Sequence, residues 1–379
     1  MSRVGLWLAL AAVVAAVGTR TSVSVATETL VVRVGVAIDR PSFVIAADGP
    51  VDAVQPDTGR VVALTGGTWT VTPTTAGLSV ANLEVGPVVR FVAPAGQLRV
   101  DGRPYRGTIE VHRTAGGMTA IDELPLEQYL YGVIKGEIDP HWPPEAVKAQ
   151  AVAARTLAVE RIAQAQAAMT GYDLAATTDA QVYLGVRGED PAATAAVDAT
   201  RGWLVTYEGR PIFAAYHANS GGHTEDSENV WGTAYPYLRG VPDPYALSAQ
   251  NLSWTAALPL EDVARALARG GVPVASVDSV EPGRVTPWGR AITVRVRGRD
   301  GSVAEVPANR FRLLVGAGVV RSTMFTTSRR GPDAVFTGRG SGHGVGLDQW
   351  GARAMAAQGA DYQQILHYYY TGVSIEQIY

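Results

Sequence analysis

The stretch Leu124–Ile162 reads LPLEQYLYGVIKGEIDPHWPPEAVKAQAVAARTLAVERI, and it decides how the rest of the chain is read. Its pattern predicts two helices joined by a short, proline-broken turn. Pro125 suits a first helical turn, where a missing N–H leaves nothing unpaired. Leu126, Leu130, Val133 and Ile134 recur at helical spacing and form one apolar face. Glu137 lies eleven positions after Leu126, about three turns at roughly 3.6 residues each, so a carboxylate continues that apolar stripe. Burial disfavours the charged form of an acid in such a place and raises its pKa. A helix-end glutamate paired with a nearby Lys or Arg fits the same spacing, because structural ion pairs also perturb titration. Both readings stand at this point. Pro140, Pro143 and Pro144 stop the first helix and restart a second, which runs to about Ala168. Its many alanines favour helix and allow close packing on a neighbour.

On the N-terminal side, residues 1–26 begin with Arg3 and a short apolar run from Val4 to Val17, too short to span a membrane comfortably. Ser24-Val25-Ala26 offers small residues where a signal peptidase reads, so 1–26 is expected to be a secretory signal. An uncleaved membrane anchor is the alternative. Residues 27–104 are short Val/Thr/Leu runs broken by Gly, Pro and Asp, including Leu30–Ile38, Val61–Gly67 and Val88–Ala93. These read as a β-rich module. There is no cysteine, which rules out disulfides, thiolate metal ligands and a cysteine nucleophile. An exported, disulfide-free chain points to a bacterial envelope or extracellular protein. A net charge of −3 gives no basic footprint for nucleic acid, and 47% hydrophobic residues are ample for a core.

On the C-terminal side, Pro191–Thr200 and Glu261–Arg269 read as short helices. Hairpins are expected at Glu208-Gly209 and Asp300-Gly301. A Gly-rich loop precedes a helix from about Leu347 to Gln358, and Asp361 with Gln364 forms a capping-box-like start to the last helix. Strands and helices mixed without a βαβ rhythm give the class α+β. The β-rich part is followed by a mixed domain over 105–379, with the helical pair at its centre and the Gly-rich loop before its last helices.

Two further blocks carry chemistry-bearing residues. Tyr216–His223 (YHANSGGH) ends a strand, with His217 and Asn219 on one face. A Ser220/His/acid hydrolase lacks the Gly-x-Ser-x-Gly elbow. A metal set of His217, His223 and Glu225 matches no strong zinc spacing. Gly340–Gly351 (GSGHGVGLDQWG) opens a helix, yet fails both phosphate-loop and dinucleotide patterns. Its glycines suit close backbone approach to a polymer or another loop. His343, Gln349 and Trp350 suit sugar binding.

Taken together, YRGTIEVHRTAGGMTAIDELPLEQYLYGVIKGEI, PPEAVKAQAVAARTLA, TDAQVYLG, YHANSGG and GRGSGHGVGLDQWGA occur in that order. They resemble the signature blocks of the SpoIID/LytB family, over about Tyr105 to Tyr379. The resemblance implies a secreted, cell-wall-associated lytic transglycosylase of peptidoglycan glycan strands. In that family the catalytic acid follows the YLYGV helix, which maps to Glu137. Polar residues of the same blocks are the substrate-binding candidates: Gln150, Arg155, Tyr183, His217, Ser220, His343 and Gln349. The amidase-enhancer branch implies the alternative, a non-catalytic wall-binding protein with a cell-wall amidase as partner. Some relatives bind zinc through Cys and His near the Ser-Gly-Gly block. With no Cys here, no metal and no cofactor are expected, and no nucleic acid or stable membrane span.

Overall fold

The computed structural model describes residues 30–94, 96–168, 171–176, 181–250 and 252–379. The expected signal segment 1–26 lies outside them. Strands and helices are interspersed, so the class is α+β.

A seven-stranded sheet runs in the order Leu174–Ala175, Val31–Arg40, Gly117–Pro125, Thr108–Thr114, Val88–Val92, Val51–Val54 and Val61–Leu64. A six-stranded sheet contributes Phe43, Ile45, Val71, Leu78 and Leu98 to the same core as Val32, Val34, Val89, Phe91 and Ile109. Strands on both sides of the expected boundary at 104/105 thus share one core. The strand Arg103–Tyr105 crosses that boundary, and Val31–Arg40 pairs along Gly117–Pro125, with Val31 opposite Pro125. Alternating Val/Ile runs on both sides of the boundary share one buried face.

The helical stretch leaves this sheet directly. Its first part is broken into α1 (Leu126–Tyr131) and α2 (Ile134–Glu137), a correction to the single helix expected. Gly132 marks the break. A β-carbon there would sit 2.6 Å from the Tyr183 ring and 2.8 Å from the Gly185 carbonyl, because the 183–185 segment crosses at that point. The expected apolar stripe is otherwise in place: Leu126, Leu130, Val133 and Ile134 are all buried.

α3 (Pro144–Ala168) begins at its proline and is buried on more than one side. Val147, Ala151, Ala154 and Ala158 join the sheet core. Ala149, Val152, Ala153 and Leu157 join a second core. A helix that gives apolar residues to two cores lies between layers, and alanine lets both layers come close. That second core is completed by the strand Trp203–Tyr207 and by α8 (Gln349–Ala357) and α9 (Tyr362–Tyr369). Between these lie α4 (Pro191–Ala199), α5 (Ser227–Trp231), α6 (Leu260–Arg269) and α7 (Ala308–Val315). Asp361 caps α9 in a full capping box with Gln364. The hairpin at Glu208-Gly209 forms with both residues at positive φ.

Residues 253–339 build a third core of their own, with Trp254, Leu267, Val294, Phe311 and Phe336 buried together. This lobe is an insertion between the YHANSGGH block and the Gly-rich loop. Its first and last strands, Ser253–Pro259 and Asp333–Arg339, pair antiparallel with Ser253 opposite Arg339. The Gly340 N–H donates to the Leu252 carbonyl at 2.8 Å, closing the neck. Among the described residues no helix is long and apolar enough to cross a membrane.

Candidate active site

Glu137 ends α2, half-buried, with the backbone turning extended at Ile138. Gly136 brings α2 against the 181–185 segment, where a β-carbon would meet the Val182 carbonyl at 2.9 Å. That approach lets the Val182 N–H donate to Glu137 Oε1 at 2.8 Å. The Tyr216 hydroxyl bonds the same carboxyl group. Tyr216 itself accepts from Gln181 Nε2 at 3.2 Å, and Gln181 accepts from the Tyr129 hydroxyl at 2.9 Å. The acid is thus held by a network of uncharged groups. Burial raises its pKa above the usual carboxylate value, against the smaller opposing pull of the Val182 and Tyr216 bonds. No Lys or Arg among the described residues contributes to that balance, so the ion-paired reading of Glu137 is not what the fold adopts.

Glu137 opens onto a cavity of about 700 Å3. One wall carries Tyr216, His217, Ala218, Ser341, His343 and Gln349. Asn309, Arg312 and Leu313 of α7, from the inserted lobe, line the cavity as well. Glu137 is the one carboxylate among the described residues lining it. Arg312 donates from Nε to the Arg321 carbonyl at 3.1 Å and from Nη1 to Asn309 Oδ1 at 3.3 Å.

The two Gly-containing blocks meet as neighbours. Tyr216–His217 pairs parallel with Leu347–Asp348, and Asn219 bridges Ser341. Gly342, at φ 103°, permits this: a β-carbon would lie 2.8 Å from the His217 β-carbon. His217 Nδ1 lies 3.1 Å from the Val345 carbonyl. Donation there leaves Nε2 as a buried acceptor without a partner. His343 Nδ1 accepts from the Val345 N–H at 3.1 Å. Burial holds both rings neutral, His217 well below its ordinary value and His343 down to about 3, with Arg290 and Arg312 adding to the effect.

Of the expected binding residues, His217, His343 and Gln349 line the cavity with Glu137. Gln150 is buried behind them and accepts from Gln349 Nε2 at 3.3 Å. Three others are not among the residues lining the cavity. Arg155 is fully buried and forked onto Glu127, at 2.8 Å from both Nε and Nη2. Tyr183 is buried and donates to Asp122 Oδ2 at 2.7 Å. Ser220 donates from Oγ to Asp243 Oδ2 at 2.9 Å, while its N–H donates to Asp348 Oδ2 at 2.6 Å. Ser220 is thus a clamp between the blocks, and its hydroxyl meets a carboxylate instead of a histidine.

Burial, and then the neighbouring Asp243 that hydrogen-bonds it, push Asp348 well above the carboxylate range. His223 stacks on Trp288 with centroids 4.1 Å apart, and Glu225 accepts from Trp288 at 2.7 Å. Neither turns toward His217 as a ligand set would, and no metal-holding group of His, Asp or Glu occurs among the described residues. Sequence reasoning missed Tyr216 and Gln181 as partners of the acid, although both sit inside quoted blocks. It also missed Arg312, whose segment carries no motif.

An uncharged cradle thus holds one carboxyl group, its pKa raised by burial, at the edge of an open cleft. Residues 114–207 match the family model described as Stage II sporulation protein, SpoIID. The stage II sporulation protein D of Bacillus amyloliquefaciens is 32% identical over 287 residues, covering 71% of this chain and 79% of that protein. An uncharacterized protein of Brachyspira hyodysenteriae is 34% identical over 347 residues, covering 91% and 92%. The amidase enhancer of Bacillus subtilis is 30% identical over 361 residues, covering 82% of this chain but 50% of its own length. The chain belongs to the SpoIID family.

Proposed function

We propose that the chain is a secreted lytic transglycosylase that cleaves the MurNAc–GlcNAc bond of peptidoglycan glycan strands. The observation that carries this reading is Glu137 as the one carboxylate among the described residues of the cavity wall, half-buried and without a cation. Hydrolytic glycosidases need two carboxyl groups across the scissile bond. A transglycosylase needs one. The protonated Glu137 donates to the bridging oxygen as the C1–O bond breaks. The resulting carboxylate then takes the proton of the MurNAc C6 hydroxyl, whose oxygen closes onto C1. The products are a free GlcNAc 4-hydroxyl and a 1,6-anhydro-MurNAc end, and the acid returns to its starting state without water. Tyr216 and the Val182 N–H hold the carboxyl group in place and share its charge between the two steps.

The test is digestion of purified glycan strands with mass spectrometry of the ends: anhydro-MurNAc is expected. A non-catalytic role as a wall-binding partner of an amidase is favoured by the amidase enhancer among the relatives. It predicts no anhydro ends and a faster added amidase. The reading requires no metal, so activity should survive EDTA; loss on chelation with recovery on zinc addition would count against it. Export should leave a mature chain beginning near Thr27, and Edman sequencing of secreted protein that returned Met1 would favour the anchor.

A further inference from the structure

One aromatic cluster has no part in the chemistry just described. Trp350 follows the cavity-lining Gln349 at the start of α8, and Trp142 follows Glu137 by five residues. Both rings are half-buried, with centroids 5.0 Å apart. Arg353 lies over both, its guanidinium carbon 4.9 Å from the Trp350 ring centre and 5.5 Å from that of Trp142. The rings hold the Arg353 cation against their faces, and its N–H groups are donors a further partner can meet.

The cluster is joined to the Glu137 cavity by shared walls. Ala218 and Ser341 line both the cavity and a narrow depression of about 60 Å3, which Trp350 closes on its other side. Trp350 and Arg353 in turn line a wider depression of about 330 Å3 with Pro143 and Ser248. The cluster thus borders two depressions, the smaller of which shares Ala218 and Ser341 with the Glu137 cavity. Its chemistry suits a pyranose: an aromatic face for the apolar C–H side of the ring, and guanidinium donors for the hydroxyl rim.

We propose that Trp142, Trp350 and Arg353 form an accessory sugar subsite, which holds a ring of the same glycan strand at a distance from the bond presented to Glu137. This rests on the glycan reading of the cavity, but it does not require turnover. The test therefore uses binding by a Glu137→Gln chain, titrated calorimetrically with MurNAc–GlcNAc strands of two and of eight sugars. The long strand should bind at least about tenfold more tightly, the scale of one well-packed aromatic contact. Trp350→Ala and Trp142→Ala, each checked for native circular dichroism, should bring that ratio close to one, and Trp350→Phe should restore most of it. An unchanged ratio in both alanine variants, or no length dependence in the parent, overturns the subsite. Anhydro-MurNAc release by the chain with Glu137 intact is scored separately. Release with an unmoved ratio sinks the subsite alone, and a collapsed ratio without release sinks the transglycosylase reading alone.

Discussion

Glu127 and Glu137 stand ten residues apart on the same broken helical stretch, and they show what burial does and does not mean for an acid. Glu127 is the more deeply buried, at 3% exposure. Yet Arg155 forks onto both its oxygens, and the Tyr379 hydroxyl donates to it at 2.7 Å. Both oxygens are thus met by donors, and two of the three bonds come from a full cation. Glu137 is less enclosed, but its partners are neutral and one side faces open space. The difference teaches that the absence of a cation, more than depth, leaves a carboxyl group available for proton transfer.

Replacing each acid's key feature tests that contrast. Glu137→Gln keeps size and the Val182 bond but removes the exchangeable proton. Anhydro-MurNAc release should fall by at least about a hundredfold, the low end of general acid–base catalysis, with the thermal midpoint close to wild type. Near-normal release by the folded variant would make Glu137 structural. The wild type should also lose activity as pH rises through the pKa of Glu137, which burial has lifted above the ordinary carboxylate value, so the loss sets in at higher pH than for an exposed glutamate.

Arg155→Leu acts on the other half of the comparison. It strands Glu127 as a buried charge and should cost about 3–5 kcal/mol of stability in chemical denaturation. Loss of activity should then track loss of folded protein. A stable Arg155→Leu chain with impaired glycan affinity would return Arg155 to the binding surface.

Asp122 sharpens the contrast from a third position. It too is buried without a cation, but it faces Tyr183 instead of a cavity, and burial pushes it up to about 7. Its folded pKa lies above its unfolded one, so between about pH 4 and 7 the native chain holds a proton that the unfolded chain has released. Stability must therefore fall as pH rises through that window and level off above it. The melting temperature of wild type relative to Asp122→Asn should drop over this range; a constant difference would show that Asp122 titrates normally.

The smallest effect is expected at Asp139. It is exposed and its Oδ1 accepts from the His141 N–H at 3.0 Å, a turn role. Asp139→Asn should change turnover by no more than about twofold, in line with surface substitutions away from any buried network. A larger loss would mean that the acid at 137 works with a second carboxylate.

Much of this was legible in sequence because local chemistry set it. The prolines before α3, the capping box at Asp361 and the positive-φ turn at Glu208-Gly209 are rules of neighbouring residues, and each forms as expected. Glu137 was legible because its place in an apolar stripe is also local. What sequence could not supply was the identity of non-local partners. Arg155, Tyr183 and Ser220 are polar residues in motif blocks, and nothing in their spacing tells a ligand from Glu127, Asp122 or Asp243. The inserted lobe escaped for a related reason. Its Val-rich strands and amphipathic helices look like those around them, and only the segregation of Trp254, Phe311 and Phe336 into a separate core sets it apart.

The closed neck of that lobe has an evolutionary meaning. Chain leaves at Leu252 and returns at Gly340 through a direct hydrogen bond, so whatever lies between is, to the rest of the fold, a loop with fixed ends. Doubling the length of such a loop adds only about 0.6 kcal/mol of closure entropy. Meanwhile α7, inside the loop, supplies Asn309, Arg312 and Leu313 to the cavity. The part of the cleft that α7 supplies can thus vary without moving the neck, separately from Glu137 and its uncharged cradle.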